Sequence, residues 1–232
     1  MQKKYILVLG SKPGSKLPNI KVEKIFTANG AAERAVRYLD RFPNTLFTAV
    51  VGNKEFTKNN VVQSKVIKSN PDILLSRLGN INFEKYDFKK KTKFDYLTYQ
   101  ESLNLQSQFF NFGIFSIIFS ELNYGTSFTN KIFHLLKSIK NKTSIGVSTG
   151  FFSIIYALKL YPEHDILISG IGMSSGGHYY DYDKNSKKYD NRSKVDRALM
   201  NNLKKKFKNK LYTLDNDLKN NSNIPLLETE TF

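Results

Sequence analysis

A chain of 232 residues, 40% hydrophobic and 24% charged, has room for one α/β domain with a true core and not for two generous ones. It has no cysteine, which excludes a disulfide framework and any thiolate metal site and fits a reducing cytoplasm. Its 36 Lys and Arg against 20 Asp and Glu give a formal charge of +16, suited to nucleic acid, an anionic membrane face or nucleotide-bearing substrates, or simply to a solvated basic surface.

In chain order, Tyr5–Leu9 is an apolar run too brief for a signal-peptide core and closed by a glycine turn, which predicts a buried first strand. It runs into the loop Gly10-Ser11-Lys12-Pro13-Gly14-Ser15. Lys24–Ala28 reads as a second strand ending at Asn29-Gly30, Ala31–Arg41 as a helix, and Leu46–Val51 as a third strand followed by Gly52-Asn53. Asn59–Ser69 and Pro71–Leu78 suggest a helix and a strand. Phe83–Tyr99 is basic and aromatic with no clear period, and predicts an irregular, lid-like insertion covering about residues 80–127. Phe109–Phe119 reads as a helix, either a core element or a surface that leans on a membrane; it falls short of a bilayer span.

Phe128–Ile139 and Gly150–Leu160 are the next expected helices, the latter preceded by Ser148-Thr149 as an N-cap pair. Asp165–Ser169 reads as a buried strand ending at Gly170-Ile171-Gly172, and a loop rich in Tyr, Asp and Lys follows to Asn191. Ser193 is expected to cap a helix through Phe207, Leu211–Leu214 to form the last strand, and residues 216–232 to be a loosely ordered tail. Alternating strands and helices over residues 1–215 predict a single doubly wound, mostly parallel sheet with helices on both faces.

In such sheets ligands bind beyond the carboxyl ends of the strands. The Gly and Ser residues of Gly10–Ser15 allow backbone N–H groups to approach a phosphate, although the spacing matches neither the Walker loop nor the dinucleotide fingerprint. Taken alone, this loop is equally a tight connection.

The ordered set of strand-end motifs resembles the bacterial sialyltransferases of glycosyltransferase family 42. Ile6–Ser15 is similar to that family's opening strand and loop, Lys24–Asn29 and Thr48–Asn53 to its second and third strands with their terminal Asn, and Ser148-Thr149-Gly150 and Ile166–Ile171 to its T-S-G helix and S-G-I strand. The resemblance covers both ends of the chain and not the middle. It implies a Rossmann-like sheet of the sialyltransferase type and a metal-independent, inverting transfer of sialic acid, Kdo or a related nonulosonic acid. The donor would be a CMP-sugar and the acceptor a surface glycan such as lipooligosaccharide or capsule. By position it assigns the nucleotide and donor to Gly10, Ser11, Pro13, Gly14, Ser15, Asn29 and Asn53, the donor carboxylate or cytidine to Ser148, Thr149 and Gly150, the base pocket to Gly170 and Ile171, and the CMP phosphate to Tyr180.

Two positions depart from the family pattern. Ser174 stands near a second phosphate-contacting Tyr, and the segment Asn191–Asp196 lacks the family's catalytic His. Of the three histidines, His134 sits in a predicted helix beside Leu135 and Leu136, His164 in a turn expected to be exposed, and His178 in the loop of the presumed site, where its pKa suits a general base. Asp181, Asp183 or Asp190 are the other candidates, and Arg192 and Lys194 suit a phosphate or carboxylate or else open a solvated helix. A CMP-binding accessory protein without the base, a flagellin-glycosylation accessory protein, and a basic nucleic-acid-binding α/β protein are the rival expectations. For the last, the interleaved Phe83–Lys91 and the run Lys204–Lys210 carry no specific nucleic-acid signature. The Lys run reads as an exposed helix end or as a peripheral contact of a cytoplasmic protein with an anionic membrane.

Overall fold

Five apolar residues in a row cannot alternate between core and solvent, so a strand such as Tyr5–Leu9 must be covered on both faces. In the computed structural model, which describes residues 3–89, 91–124, 127–140, 145–173, 178 and 187–232, it is an interior strand of a seven-stranded sheet. The strands are β1 Tyr5–Leu9, β2 Lys24–Ala28, β3 Leu46–Gly52, β4 Ile73–Arg77, β5 Lys93–Leu97, β6 Asp165–Ser169 and β7 Leu211–Thr213. Their order is β5-β4-β3-β2-β1-β6-β7, and every neighbouring pair is parallel. The chain therefore steps outward from β1 to β5, then returns to the other side of β1. The reversal falls between β1 and β6, where an open parallel sheet parts to form a crevice.

The α-helices are α1 Ala32–Leu39, α2 Asn53–Lys58, α3 Asn60–Ser69, α4 Tyr99–Ser107, α5 Ile114–Glu121, α6 Phe128–Lys140, α7 Thr149–Leu160, α8 Lys187–Phe207 and α9 Asn216–Ser222. Alternate side chains of β1 go to opposite cores. Ile6 and Val8 join Phe151, Phe152 and Ile155 of α7 and Leu199 and Leu203 of α8. Leu7 and Leu9 join Ala32, Ala35 and Tyr38 of α1 and Val62 and Val66 of α3. Tyr38 is fully buried, yet its hydroxyl donates to the Ile20 carbonyl at 2.6 Å and accepts from Val22 N at 2.9 Å. Burial pushes its pKa up to about 12.

Three expectations need correction. The segment predicted to be an irregular lid contains an edge strand, β5, paired with β4 from Ile73↔Lys93 to Arg77↔Leu97. It also contains α4, opened by a capping box in which Thr98 accepts from Glu101 N and the Glu101 carboxylate accepts from Thr98 N. Being an edge strand, β5 carries exposed side chains and lacks the apolar run that marks its neighbours. Helix α8 begins at Lys187, six residues before the expected cap Ser193.

The C-terminal residues are not loosely held. Leu218 of α9 and Ile224 are fully buried, and the last residue is tied back to the loop after β1 through Leu17 N–Phe232 O (3.1 Å) and Phe232 N–Leu17 O (2.9 Å). An Asn-rich segment can anchor in this way because two apolar side chains reach the core while the amides stay outside. Among the described residues no helix is long and apolar enough to cross a membrane.

Leu218→Ala should therefore lower the unfolding free energy by about 2–4 kcal/mol, read as a shift of the urea midpoint. A change below about 0.5 kcal/mol would return the tail to a loose appendage.

Candidate functional site

At the reversal point β1 and β6 leave the sheet side by side, with Leu9 paired to Ser169, so Gly10 and Gly170 meet backbone to backbone. A Cβ on Gly10 would lie 2.1 Å from the Gly170 carbonyl oxygen. One on Gly170, whose φ is +75°, would lie 2.5 Å from Gly10 O and from Arg34 Nη1. Only glycine fits at either place. Gly10 N donates to Ser169 O (2.8 Å) and Lys12 N to Gly170 O (2.9 Å), so the two loops form one bonded unit.

Arg34 of α1, an ordinary surface-like residue in the sequence, is buried beneath this unit. Its Nη1 donates to Gly10 O at 3.0 Å, and its Nη2 to Ser15 O at 2.8 Å and Lys16 O at 3.3 Å. With the loop's carbonyls drawn inward by one guanidinium, the amide N–H groups of Ser11, Gly14 and Ser15 have no acceptor among the described residues. Gly14 has a φ of +71° and open space where a side chain would be. Backbone N–H groups left without an acceptor in this way suit an anion. Pro13 has no N–H, and its ring holds the turn between Lys12 and Gly14.

From the other side Asp215 Oδ2 accepts from Gly170 N at 2.5 Å, while Asp217 Oδ2 accepts from Lys12 Nζ at 2.6 Å and from Met173 N at 3.0 Å. Burial pushes the Asp215 carboxyl above its ordinary pKa, opposed by its bond to Gly170 and by Arg34 and Lys12. His178 reaches the same place, its Nδ1 against Ser11 Oγ.

Helix α7 closes the crevice with its positive end. Ser148 is the N-cap, accepting from Phe151 N at 3.3 Å, as its sequence position predicts. A Cβ on Gly150 would stand 3.4 Å from the Ile171 side chain, so the helix start rests on the β6 loop. A Cβ on Gly52 would stand 3.4 Å from Thr149 Oγ1 and 3.9 Å from Asn29 Oδ1. Asn29, in the left-handed region at φ +50°, accepts from Gly52 N at 2.9 Å and so ties the end of β2 to that of β3. Gly10–Ser15, Gly170-Ile171, His178, Thr149-Gly150 and Asn29 thus line one continuous edge.

No protein-family model matches the chain, and neither curated proteins nor solved structures give a significant match.

Three expected site residues stand apart from that edge or outside the description. Asn53 donates through Nδ2 to Asn80 O at 2.9 Å, toward the turn after β4. Arg192 lies inside α8 and not at a helix start, and its Nη1 donates to Glu121 Oε1 at 2.9 Å and to Gly146 O at 2.6 Å. Tyr180 lies outside the described residues, as do Ser174, Asp181 and Asp183. His134 is 3.1 Å from the fully buried Glu121, and His164 is 2.7 Å from Glu23 and largely covered where exposure was expected.

Arg77, the last residue of β4 and in register with Gly52, attracted no attention in the sequence. It is 2% exposed, with its Nε 3.4 Å from Ser102 Oγ and its guanidinium stacked 4.8 Å over Phe152. Its Nη2 has no hydrogen-bond partner among the described residues, and burial lowers its pKa to about 9 against the pull of Asp196. Asp196 is buried beside it and accepts from Ser148 N at 3.0 Å. Burial raises the Asp196 pKa, opposed by Ser148, Arg192 and Arg77.

A carboxyl whose pKa is raised by folding takes up a proton on folding, so the stability it lends is full at low pH and is lost as pH rises through its folded pKa. Asp196→Asn removes that slope. The unfolding free energy of the variant relative to the parent should therefore rise between about pH 4 and pH 8, measured by urea unfolding at both. A pH-independent difference would mean that Asp196 is ionised throughout.

Proposed function

We propose that the chain is a glycosyltransferase that moves a sialic acid, Kdo or related acidic sugar from a CMP-linked donor to a glycan acceptor, on a sheet of the sialyltransferase type. The observation that carries this is the His178–Ser11 contact: the one histidine in the loop after β6 lies against the hydroxyl of the N–H-rich loop after β1. A base and an anion cradle on the same edge are what inverting transfer from a phosphate leaving group requires.

In that reaction the acceptor hydroxyl attacks the anomeric carbon, its proton passes to the base, and the bond from that carbon to the phosphate oxygen breaks with its electron pair, releasing CMP. The N–H groups of Ser11, Gly14 and Ser15, with the α7 N-terminus, are suited to the charge growing on the departing phosphate. A ring that holds its Nδ1–H toward Ser11 Oγ carries its basic lone pair on Nε2. Arg77 supports an acidic sugar, since it ends the strand in register with Gly52 and its guanidinium keeps an unbonded N–H that suits a carboxylate. Asn29 supports the crevice through its bond to Gly52, so its replacement would disturb the fold together with any ligand contact.

Calorimetric titration with CMP should give measurable binding, and no heat at millimolar CMP would overturn the proposal. His178→Ala should keep CMP affinity while transfer from CMP-sialic acid or CMP-Kdo falls about 100-fold or more. Binding without any transfer by the parent chain would make it a non-catalytic nucleotide-binding relative.

Arg77→Met preserves volume but takes one cation from beside the buried Asp196, so it should lower the melting temperature while leaving the folded circular dichroism spectrum unchanged. It should weaken binding of the CMP-sugar about tenfold while leaving CMP itself unchanged. Equal loss for both ligands would take Arg77 away from the sugar.

A further inference from the structure

Helices α5 and α6 break the rule that an amphipathic helix turns its apolar face inward. Phe112, Phe115, Phe119, Phe128, Phe133 and Leu136 are each between 59% and 75% exposed. Phe115 and Phe119 lie four apart on one side of α5, with Phe112 in the turn just before it, while Ile117 on the helix's other side is fully buried. In α6 the spacing Phe128, Ile132, Phe133, Leu136 again marks one face, and none of its described side chains is buried. A 13-residue helix with so little packing gains almost nothing from the core beneath it.

The charge around these side chains is of one sign. Helix α6 carries Lys131, Lys137 and Lys140 and no acidic residue. The only acid of α5, Glu121, is fully buried and bonded to Arg192. Phe207 of α8 stacks on Phe109 at 5.6 Å and Lys206 Nζ donates to Gln108 O at 3.0 Å, which brings the exposed end of α8, with Lys205, Lys206 and Lys208, alongside the turn that leads to Phe112.

We propose that the α5–α6 face is a docking surface for an anionic lipid bilayer, with the phenylalanines entering the headgroup–acyl boundary and the lysines lying against lipid phosphates. An aromatic face with the cations of α6 and of the end of α8 beside it has the composition of an interfacial helix. A second copy of the chain fits less well, because a two-fold contact would set the lysines of α6 against those of an identical +16 molecule. The inference is independent of the glycosyltransferase proposal, since docking needs no nucleotide.

Flotation of the full chain with vesicles tests it. Binding to phosphatidylcholine vesicles holding about one third phosphatidylglycerol should exceed binding to pure phosphatidylcholine by about tenfold or more at low salt. Phe115→Ser/Phe119→Ser/Phe133→Ser, with unchanged circular dichroism and unchanged CMP affinity, should lose that binding, and so should Lys137→Glu/Lys140→Glu. Binding that is absent from anionic vesicles, or is unaltered in the serine variant, overturns the proposal. So does a stable dimer that the serine variant dissociates, which would assign the face to a second copy.

Discussion

The backbone contact between Gly10 and Gly170 is the constraint on which the crevice depends. Two adjacent parallel strands normally diverge into separate loops, yet here the carbonyl of one lies where the other's side chain would be. Such an approach puts polar backbone groups in a buried place, and each needs a partner. Arg34 supplies donors to three carbonyls from below, and Asp215 supplies an acceptor to Gly170 N from the side. These two side chains come from opposite ends of the sequence and are of opposite charge. The joined loops after β1 and β6 are thus held by side chains from both the first and the last part of the chain.

A second buried network sets the start of α7. Glu121, with no exposed side-chain surface, accepts from Arg192 and from Gly146 N, and Arg192 in turn donates to Gly146 O. Two residues on, Asp196 takes Ser148 N. The segment that leads into the helix is therefore gripped through its backbone by charges on α5 and α8. A buried ion pair of this kind adds little net stability against an apolar substitute, and its loss on one side only costs several kcal/mol. Its use is positional, since it fixes where a helix N-terminus points.

The sheet was legible to the degree that its strands are covered on both faces. Tyr5–Leu9, Lys24–Ala28 and Asp165–Ser169 are read at their true limits because a short, largely apolar segment that ends at Gly or Asn has few alternatives. Lys93–Leu97 escaped because an edge strand exposed on both faces, with lysines around it, has no such run. Asp215 escaped for another reason: it occupies the N-cap position of α9, but its carboxylate turns to Gly170 instead of capping. Arg34, Asp215 and Asp217 build the site through contacts across 24, 45 and 44 residues, and no local pattern encodes those. Of the expected site residues, Gly10, Gly170 and Ser148 were identifiable because backbone geometry demands their residue types. Arg192 was identified by charge alone and proves to be tied to Glu121 and Gly146.

The same physics separates the molecule into a tight half and an open one. Around β1, β2, β3 and β6 nearly every apolar side chain is fully buried, and the strand ends at Gly10, Gly52 and Gly170 are each tied by a charged or amide side chain. On the α7 side of the sheet the chain adds α5 and α6, whose apolar surface faces outward and whose cations lie beside it. A chain with +16 net charge already gives up some stability to self-repulsion, and grouping lysines on a thinly packed layer adds to that loss. An arrangement unfavourable in water becomes favourable when the layer meets an apolar, negatively charged surface, because burial of the phenylalanines and neutralisation of the lysines then occur together. The crevice needs no such partner, since its geometry is fixed from within by glycine, Arg34 and Asp215.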